Sequence, residues 1–320
     1  WKVFVSNDGK LKILVTGGGG FIGSFLAQQL SRKHKIIILD HGNRYKILKK
    51  KIKKNVEFVI GDVTDEKILD RILKKNIDVI IHLAGVLGNN ACMNDPVNAV
   101  ISHVNGTHVL IKKSKHYHVK RFIFASSQAV YSTFKVRKSN LNEKMKLEAD
   151  DLYGVLKGIA ENEIMESGIN YTILRFANVY GFNQSFNQQG GAIMNFMNAL
   201  TKKSKMSIFG SGKQKIDYIE LVDISDCIKI ILNNSKLKNE TFNVGSGKLT
   251  SIIDIAKIIS NIGQKHFGYS TKITKIPAPD RKIWPDRLMS INKIKKITGW
   301  KPKVSLKQGI EKLIENEVGK

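Results

Sequence analysis

A tyrosine and a lysine four residues apart are the side chains of this sequence best suited to chemistry. Tyr153 and Lys157 begin a predicted helix, and side chains at positions i and i+4 project from the same helical face. A nearby ammonium, together with a positively charged cofactor ring, favours the phenolate, so we expect the pKa of Tyr153 to fall from about 10 toward neutral. Such a phenol can move a proton on and off a sugar or alcohol hydroxyl. Ser127, at the end of a predicted strand, can hydrogen-bond the same hydroxyl.

A glycine-rich turn near the start of the chain supplies the context that the tyrosine–lysine pair needs. The apolar run at residues 13–15 predicts a buried strand, and apolar residues at helical spacing follow the glycines. Between them, the first glycine allows a tight turn, the second lets the backbone approach a pyrophosphate, and the third lets helix and strand pack closely. The spacing is G-x-x-G-x-x-G. The predicted cofactor contacts at this turn are Gly17, Gly20, Phe21, Ile22 and Gly23.

An acidic residue, Asp40, ends the second predicted strand. An acid at this place can accept both ribose hydroxyls of the adenosine half of a dinucleotide, which favours NAD over NADP. The alternative is that Asp40 caps a loop. Arg44 follows closely and could meet a 2′-phosphate, so NADP stays an alternative.

Short apolar strands alternate with helices through the first half of the chain, which predicts an α/β fold with a doubly wound parallel sheet. Ligands of such sheets bind at the carboxyl ends of the strands. Strands are predicted at 56–60, 78–83 and 121–125, with helices at 65–75 and around 96–116. Further cofactor contacts are expected beyond these strands, at Asp62, Val63, Leu83, Ala84, Gly85 and Ser126. Asp62 is placed to meet an adenine amino group, or it caps the helix that follows.

A net charge of +26 is the unusual feature of the composition. A basic surface attracts the phosphates of nucleic acids, so a nucleic-acid-binding role is an alternative. The excess is almost entirely lysine spread along the whole chain, which favours a solvated surface. No apolar run is long enough to span a bilayer, and the two cysteines lack metal-ligand spacing. We therefore expect a cytoplasmic protein with neither a metal site nor a membrane contact.

Motifs continue along the chain in a fixed order. They are TGGGGFIG (16–23), GDV (61–63), HLAG (82–85), VNGT (104–107), FIFASSQAVY (122–131), YGVLK (153–157), LRFANVYG (174–181), FGSGKQKIDYIELVDISD (209–226), FNVGSG (242–247) and GWKPKVSLKQGI (299–310). As a set they resemble the extended short-chain dehydrogenase/reductases, in the NAD-dependent epimerase/dehydratase family typified by UDP-glucose 4-epimerase. The resemblance covers nearly the whole chain.

This resemblance implies an NAD-binding Rossmann domain at residues 10–180 and a smaller α/β substrate-binding domain at 181–320. Segments near 215–240 are expected to cross back to the first domain. The family usually dimerises through the helices near 96–116 and 152–166, so the resemblance also implies a homodimer.

The resemblance also implies roles for individual side chains. Tyr153 would be the acid/base, Lys157 its electrostatic partner and an anchor of the nicotinamide ribose, and Ser127 the second contact to the reacting hydroxyl. Tyr153 and Lys157 therefore count among the cofactor contacts too. The expected contacts to a nucleotide-sugar substrate are Ser127, Gln128, Tyr153, Asn178, Arg281 and Arg287.

The residues after Ser127 indicate the reaction. The 4,6-dehydratases of the family carry Asp-Glu there, whereas this chain has Gln128 and Ala129, which disfavours elimination of water. The resemblance then favours NAD-dependent epimerisation at C4 of a nucleotide sugar, through a keto-sugar. A keto-sugar reductase or a sugar or alcohol dehydrogenase is the alternative within the same fold.

Two positions depart from the family pattern. His103 stands where an asparagine is usual, which weakens a cofactor contact or replaces it with an imidazole. Ile216 stands where an arginine usually grips the nucleotide diphosphate or ribose. Arg281 or Arg287 could supply that anion contact instead, because the guanidinium fork suits phosphate.

Overall fold

Two compact units make up the chain, and the computed structural model describes residues 9–42, 55–132, 140–182, 184, 191–277 and 286–318. The first unit comprises Trp1–Ser132, Glu143–Phe176 and Ile228–Phe242. The second unit comprises Thr133–Asn142, Ala177–Cys227 and Asn243–Lys320.

The described residues form these elements in chain order. The strands are β1 (Lys12–Thr16), β2 (Lys35–Asp40), β3 (Val56–Ile60), β4 (Val79–His82), β5 (Arg121–Ser127), β6 (Asn140–Leu141), β7 (Tyr171–Phe176), β8 (Asn178–Tyr180), β9 (Met206–Phe209), β10 (Lys215–Glu220), β11 (Glu240–Val244), β12 (Leu249–Ser251), β13 (Ile273–Ile276) and β14 (Leu288–Met289). The helices are α1 (Phe21–Leu30), α2 (Glu66–Leu73), α3 (Asn89–Asn94), α4 (Pro96–Val100), α5 (Gly106–His116), α6 (Leu152–Glu166), α7 (Gly191–Thr201), α8 (Leu221–Asn233), α9 (Ile252–Phe267), α10 (Asn292–Thr298) and α11 (Leu306–Val318). A π-helical turn at Ile101–Asn105 joins α4 to α5.

A seven-stranded sheet with the order β3-β2-β1-β4-β5-β7-β11 forms the centre of the first unit. β1 lies between β2 and β4 and pairs in parallel with both. Ile13, Leu14 and Val15 on this strand are fully buried, as expected of a parallel strand that is covered on both faces. The predicted α/β class with a doubly wound parallel sheet is therefore confirmed.

The predicted helix around 96–116 begins where expected but is not uniform. Asp95 is the N-cap of α4 and its side chain accepts a hydrogen bond from the amide of Asn98, while Pro96 occupies the first turn of the helix. The π-helical turn follows, with the Gly106 amide donating to the Ile101 carbonyl. Helix α3, which the sequence pattern did not predict, precedes α4. Among the described residues, no helix is both long and apolar enough to cross a membrane.

The second unit has its own small sheets and core. β10 lies between β12 and β8, and β9 pairs with β13. Helices α7, α9 and α11 supply most of the core, through side chains such as Met197, Ile255, Ile259 and Ile310. β6 pairs with β14, and both strands belong to the second unit. The domain boundary at residue 180 remains a prediction.

Candidate active site

The glycine turn after β1 forms a cradle that side chains would fill. Gly17 has a positive φ of 66°, and a Cβ there would lie 2.7 Å from the amide nitrogen of Ala84. A Cβ on Gly23 would lie 2.4 Å from the carbonyl oxygen of Gly17. Gly20 is the N-cap of α1 and provides no side chain to satisfy the free amides of the helix. These amides are the anion-binding groups that a pyrophosphate needs, so the turn fits a dinucleotide.

Asp40 ends β2 directly beside this turn. Its carboxylate accepts a hydrogen bond of 2.9 Å from the Gly19 amide. A Cβ on Gly19 would overlap the same carboxylate at 2.7 to 2.9 Å, so only glycine leaves room for it. Asp40 is therefore held at the turn, where the predicted ribose contact requires a carboxylate. Arg44, the residue that kept NADP as an alternative, lies outside the described residues.

The other predicted cofactor contacts lie where strands end. The Leu83 amide donates to the Thr16 carbonyl, which brings Ala84 against Gly17. One carboxylate oxygen of Asp62 accepts hydrogen bonds from both the amide and the hydroxyl of Thr64. The cap of α2 is Asp65, not Asp62. The roles of Asp62, Val63 and the Leu83–Ala84–Gly85 stretch as cofactor contacts remain predictions.

Changing Asp40 to alanine is expected to weaken NAD binding about 10- to 100-fold, because charge-assisted hydrogen bonds contribute roughly 1.5–3 kcal/mol each. NADP binding should weaken less, since the carboxylate no longer repels the 2′-phosphate. Calorimetric titration of both dinucleotides would measure this, with Glu57→Ala, on the neighbouring strand, as the matched control. Unchanged NAD affinity in Asp40→Ala would contradict the assigned contact.

Ser127, Tyr153 and Lys157 come together in the first unit. Ser127 ends β5, where its hydroxyl accepts a hydrogen bond of 3.1 Å from the Ala129 amide, and it is also hydrogen-bonded to Tyr153. Tyr153 and Lys157 lie on the first turns of α6, which begins after Asp151 caps the Gly154 amide. The structure thus groups the three predicted catalytic residues.

The pKa of Tyr153 is high in the protein alone. Burial raises it well above the ordinary value, with Cys92 and Asp151 acting in the same direction and the hydrogen bond to Ser127 opposing them. Burial is the main cause of the raised pKa. The Lys157 ammonium donates to the Ala125 carbonyl at 2.8 Å and lies 5.9 Å from the centre of the tyrosine ring. The fall toward neutral is predicted for Tyr153 beside both Lys157 and the positive nicotinamide ring of NAD, so it remains a prediction for the enzyme with NAD bound.

Lys157 is the charged member of the group. Burial lowers its pKa to about 8, and the nearby Glu161 carboxylate acts in the opposite direction. A pKa of about 8 leaves roughly nine-tenths of the side chain protonated at pH 7. Lys157 can thus supply positive charge to a neighbouring phenolate at neutral pH.

A buried ion pair that the sequence analysis missed supports these residues. Glu161 and Arg175 are both buried, and two guanidinium nitrogens of Arg175 donate to the carboxylate at 2.6 to 3.1 Å. Arg175 also donates to the Tyr131 hydroxyl at 2.7 Å. The sequence signal that could have drawn attention to Glu161 is its place four residues after Lys157, one helical turn away. A lysine and a glutamate at this spacing normally indicate a pair on the helix surface.

Ser126 is hydrogen-bonded to the same ion pair. Its hydroxyl donates to Glu161, and its role as a cofactor contact remains a prediction. The Glu161 carboxylate therefore joins α6, which carries Tyr153 and Lys157, to the end of β5, which carries Ser127. Burial opposes the charge of Arg175, but the hydrogen bonds and charge of Glu161 outweigh it and hold the pKa of Arg175 above its ordinary value.

His103 lies on the π-helical turn and is almost fully buried. Its Nε2 donates to the Val86 carbonyl at 2.9 Å, and its ring meets that of Tyr153 edge to face at 5.7 Å. Burial lowers its pKa to about 3. His103 thus contacts the predicted acid/base, which the sequence analysis did not foresee, and its role as a cofactor contact remains a prediction.

Two of the predicted substrate contacts lie in the second unit. Asn178 on β8 pairs with Tyr218 on β10, and its side-chain amide donates to the Asp217 carbonyl at 3.4 Å. The backbone of Arg287 forms a bridge with that of Ile216. An arginine therefore stands beside the position from which the family's arginine is missing. Arg281 lies outside the described residues.

Gln128, the remaining predicted substrate contact, is buried in the turn after β5. Its side-chain oxygen makes no hydrogen bond among the described residues. A buried acceptor in this state is a candidate for contact with a ligand hydroxyl.

Comparisons with known proteins agree with this geometry. The model of the NAD-dependent epimerase/dehydratase family matches residues 13–245. A putative UDP-glucose 4-epimerase of Methanocaldococcus jannaschii is 31% identical over 311 residues, which cover 94% of this chain and 97% of that protein. The crystal structure of UDP-glucose 4-epimerase from Thermotoga maritima with UDP-glucose is similar with a TM-score of 0.86 at 28% identity, over 95% of this chain and 98% of that one.

A further similar structure carries both ligands. UDP-glucuronic acid 4-epimerase from Bacillus cereus, in complex with UDP-glucuronic acid and NAD, has a TM-score of 0.82 at 26% identity, over 94% of this chain and 97% of that one. The glycine cradle and the carboxylate of Asp40 fit the same cofactor. This chain belongs to the NAD-dependent epimerase/dehydratase family, and its cofactor is NAD.

Proposed function

We propose that this protein is an epimerase that inverts C4 of a nucleotide-activated sugar. The observation that carries the proposal is the grouping of Ser127, Tyr153 and the buried Lys157, with Gln128 and Ala129 following Ser127. This group can exchange a proton with a hydroxyl, but the two residues after Ser127 offer no carboxyl group to assist the loss of water. Oxidation and reduction at one carbon is the reaction that such a group supports best.

In the proposed mechanism Tyr153 takes the proton of the C4 hydroxyl. Ser127 orients that hydroxyl from the end of β5, and the Lys157 ammonium stabilises the phenolate that Tyr153 must reach. NAD, when bound, supplies the acceptor and donor of the C4 hydride. Tyr153 then returns its proton to the oxygen once the other face of the sugar has been reduced, so neither proton nor cofactor is consumed.

The residues predicted to contact the nucleotide of the proposed substrate belong to the second unit. Arg287 stands beside Ile216, and a guanidinium binds a diphosphate through two parallel hydrogen bonds. Asn178, on a neighbouring strand of the same small sheet, would contact the substrate by its side-chain amide. Arg287 would thus replace the arginine that is missing at position 216.

Incubation of the purified protein with catalytic NAD and a panel of UDP-, GDP-, CDP- and dTDP-sugars tests the proposal. The sugar products and the absorbance of reduced nicotinamide are followed together. We expect a new C4 epimer without net formation of NADH. Stoichiometric NADH would contradict the proposal and indicate a dehydrogenase, and salt-sensitive binding of nucleic acid with no turnover would indicate a binding protein.

An exposed apolar surface supports the predicted homodimer. Five exposed side chains lie on α4, the π-helical turn and α6, namely Val97, Val100, Ile101, Val155 and Ile159. Their spacing of three and four residues places them on one face of each helix. The five side chains lie on the helices through which the sequence analysis predicts dimerisation.

Changing both Val155 and Ile159 to glutamate is expected to convert a dimer into a monomer, because two carboxylates would have to lose water at a mainly apolar contact. Light scattering after size-exclusion chromatography measures the mass directly. Ile297→Glu, an exposed apolar residue on α10, is the matched control and should leave the mass unchanged. A wild-type protein of single-chain mass would disprove the dimer.

A further inference from the structure

A chain of directed hydrogen bonds runs through the interior of the first unit to the π-helical turn. The Thr16 hydroxyl lies 2.7 Å from Nδ1 of His82, and Nε2 of His82 lies 3.0 Å from the Thr107 hydroxyl. Thr107 in turn donates to the His103 carbonyl at 2.6 Å. All four residues are buried.

The direction of these bonds follows from the last one. A carbonyl cannot donate, so the single hydroxyl proton of Thr107 points to His103. The oxygen of Thr107 must then accept from Nε2–H of His82, and the neutral imidazole accepts from Thr16 at Nδ1. These hydrogen bonds connect Thr16, the residue directly before the glycine turn, to the π-helical turn that carries His103.

The ring of His103 is fixed by contacts on three sides. Its Nε2 must carry the proton, because the partner at 2.9 Å is the Val86 carbonyl. Gly85 has a φ of 144°, and a Cβ there would lie 2.4 Å from the ring, so the imidazole occupies the space that glycine leaves. The third contact is the edge-to-face packing on Tyr153, with an interplanar angle of 74°.

We infer that His103 is a positioning residue for Tyr153, held as a neutral imidazole with its proton on Nε2. The inference rests on the proposed function of Tyr153 as the acid/base. His103 does not exchange a proton with the substrate. It keeps the phenol ring in place and anchors the strand-end loop at Val86, a residue that packs on the same apolar cluster as that ring.

Kinetics of three variants test the positioning role. For His103→Ala we expect kcat to fall about 10- to 100-fold, the size of loss that a small displacement of a catalytic group produces, with KM and NAD affinity nearly unchanged. His103→Gln keeps a donor for Val86 and His103→Phe keeps a ring edge for Tyr153, so each should recover part of kcat. Unchanged kcat in His103→Ala, or a loss wholly explained by weaker NAD binding, would overturn the inference. His116→Ala, an exposed histidine on α5, is the control.

Nitrogen NMR of the wild-type protein labelled at histidine tests the same inference without any sugar. The His103 signal, assigned by its loss in His103→Gln, should show the neutral Nε2–H form from pH 5 to pH 8. A cationic ring or an Nδ1–H form in this range would refute the role of His103. If no sugar is turned over while this signal behaves as expected, the proposed reaction fails and the anchoring of His103 stands.

Discussion

Tyr153→Phe is expected to lower kcat for epimerisation by about 10³-fold, since a positioned acid/base contributes roughly 10²- to 10⁴-fold. The substitution removes one oxygen and keeps the ring that packs on Cys92 and Leu156. NAD affinity and thermal stability should therefore stay close to those of the wild type. Steady-state kinetics on the substrate found by the sugar panel, together with calorimetric NAD titration, measure both expectations.

Tyr171→Phe is the matched control for this prediction. Tyr171 begins β7, so it lies at the amino end of the strand, away from the carboxyl ends where ligands bind. It should keep full activity. A fully active Tyr153→Phe variant would remove Tyr153 from the mechanism, and activity lost only together with NAD binding would limit the role of Tyr153 to cofactor contact.

Glu161→Gln is expected to destabilise the protein by about 3–5 kcal/mol, the usual result of leaving one partner of a buried ion pair without its counter-charge. Arg175 would remain buried with a neutral amide in place of the carboxylate. Urea unfolding followed by circular dichroism measures the change in the free energy of unfolding. Glu57→Gln, which breaks the exposed pair with Lys75, should change it by less than about 1 kcal/mol.

The double variant Glu161→Gln with Arg175→Met separates the charge from the packing. Removing both charges leaves no unpaired ion, so we expect a smaller loss than the sum of the two single variants. Strict additivity would show that the two side chains do not stabilise the fold as a pair.

Glu161→Gln should also change the pH dependence of activity. Glu161 raises the pKa of Lys157, against the lowering caused by burial. Without it the pKa of Lys157 falls below about 8, so the ammonium is lost at a lower pH and the basic limb of the kcat profile moves the same way. An unmoved basic limb would show that Lys157 does not govern it.

Local patterns were sufficient for the parts of this protein that depend on neighbours in the sequence. A buried strand, a glycine turn and a helix follow one another within residues 11–30, and their order and spacing predicted the glycine cradle. The contact of Asp40 was predicted from its place at the end of the next strand. Tyr153 and Lys157 were found in the same way, because positions i and i+4 share a helical face whatever surrounds the helix. The parallel sheet followed from the alternation of apolar strands with helices.

Tertiary packing decided the properties that depend on burial and on distant partners. Glu161 looks like a surface residue in the sequence, and only the meeting of α6, β5 and β7 makes it the buried partner of Arg175 and Ser126. Burial raises the pKa of Tyr153 in the protein alone, and sequence spacing, which reveals the nearby lysine, does not reveal this loss of water around the phenol. The contact between His103 and Tyr153 likewise requires the π-helical turn. Sequence spacing determines which residues share a face, whereas desolvation and long-range contacts exist only once the chain has packed.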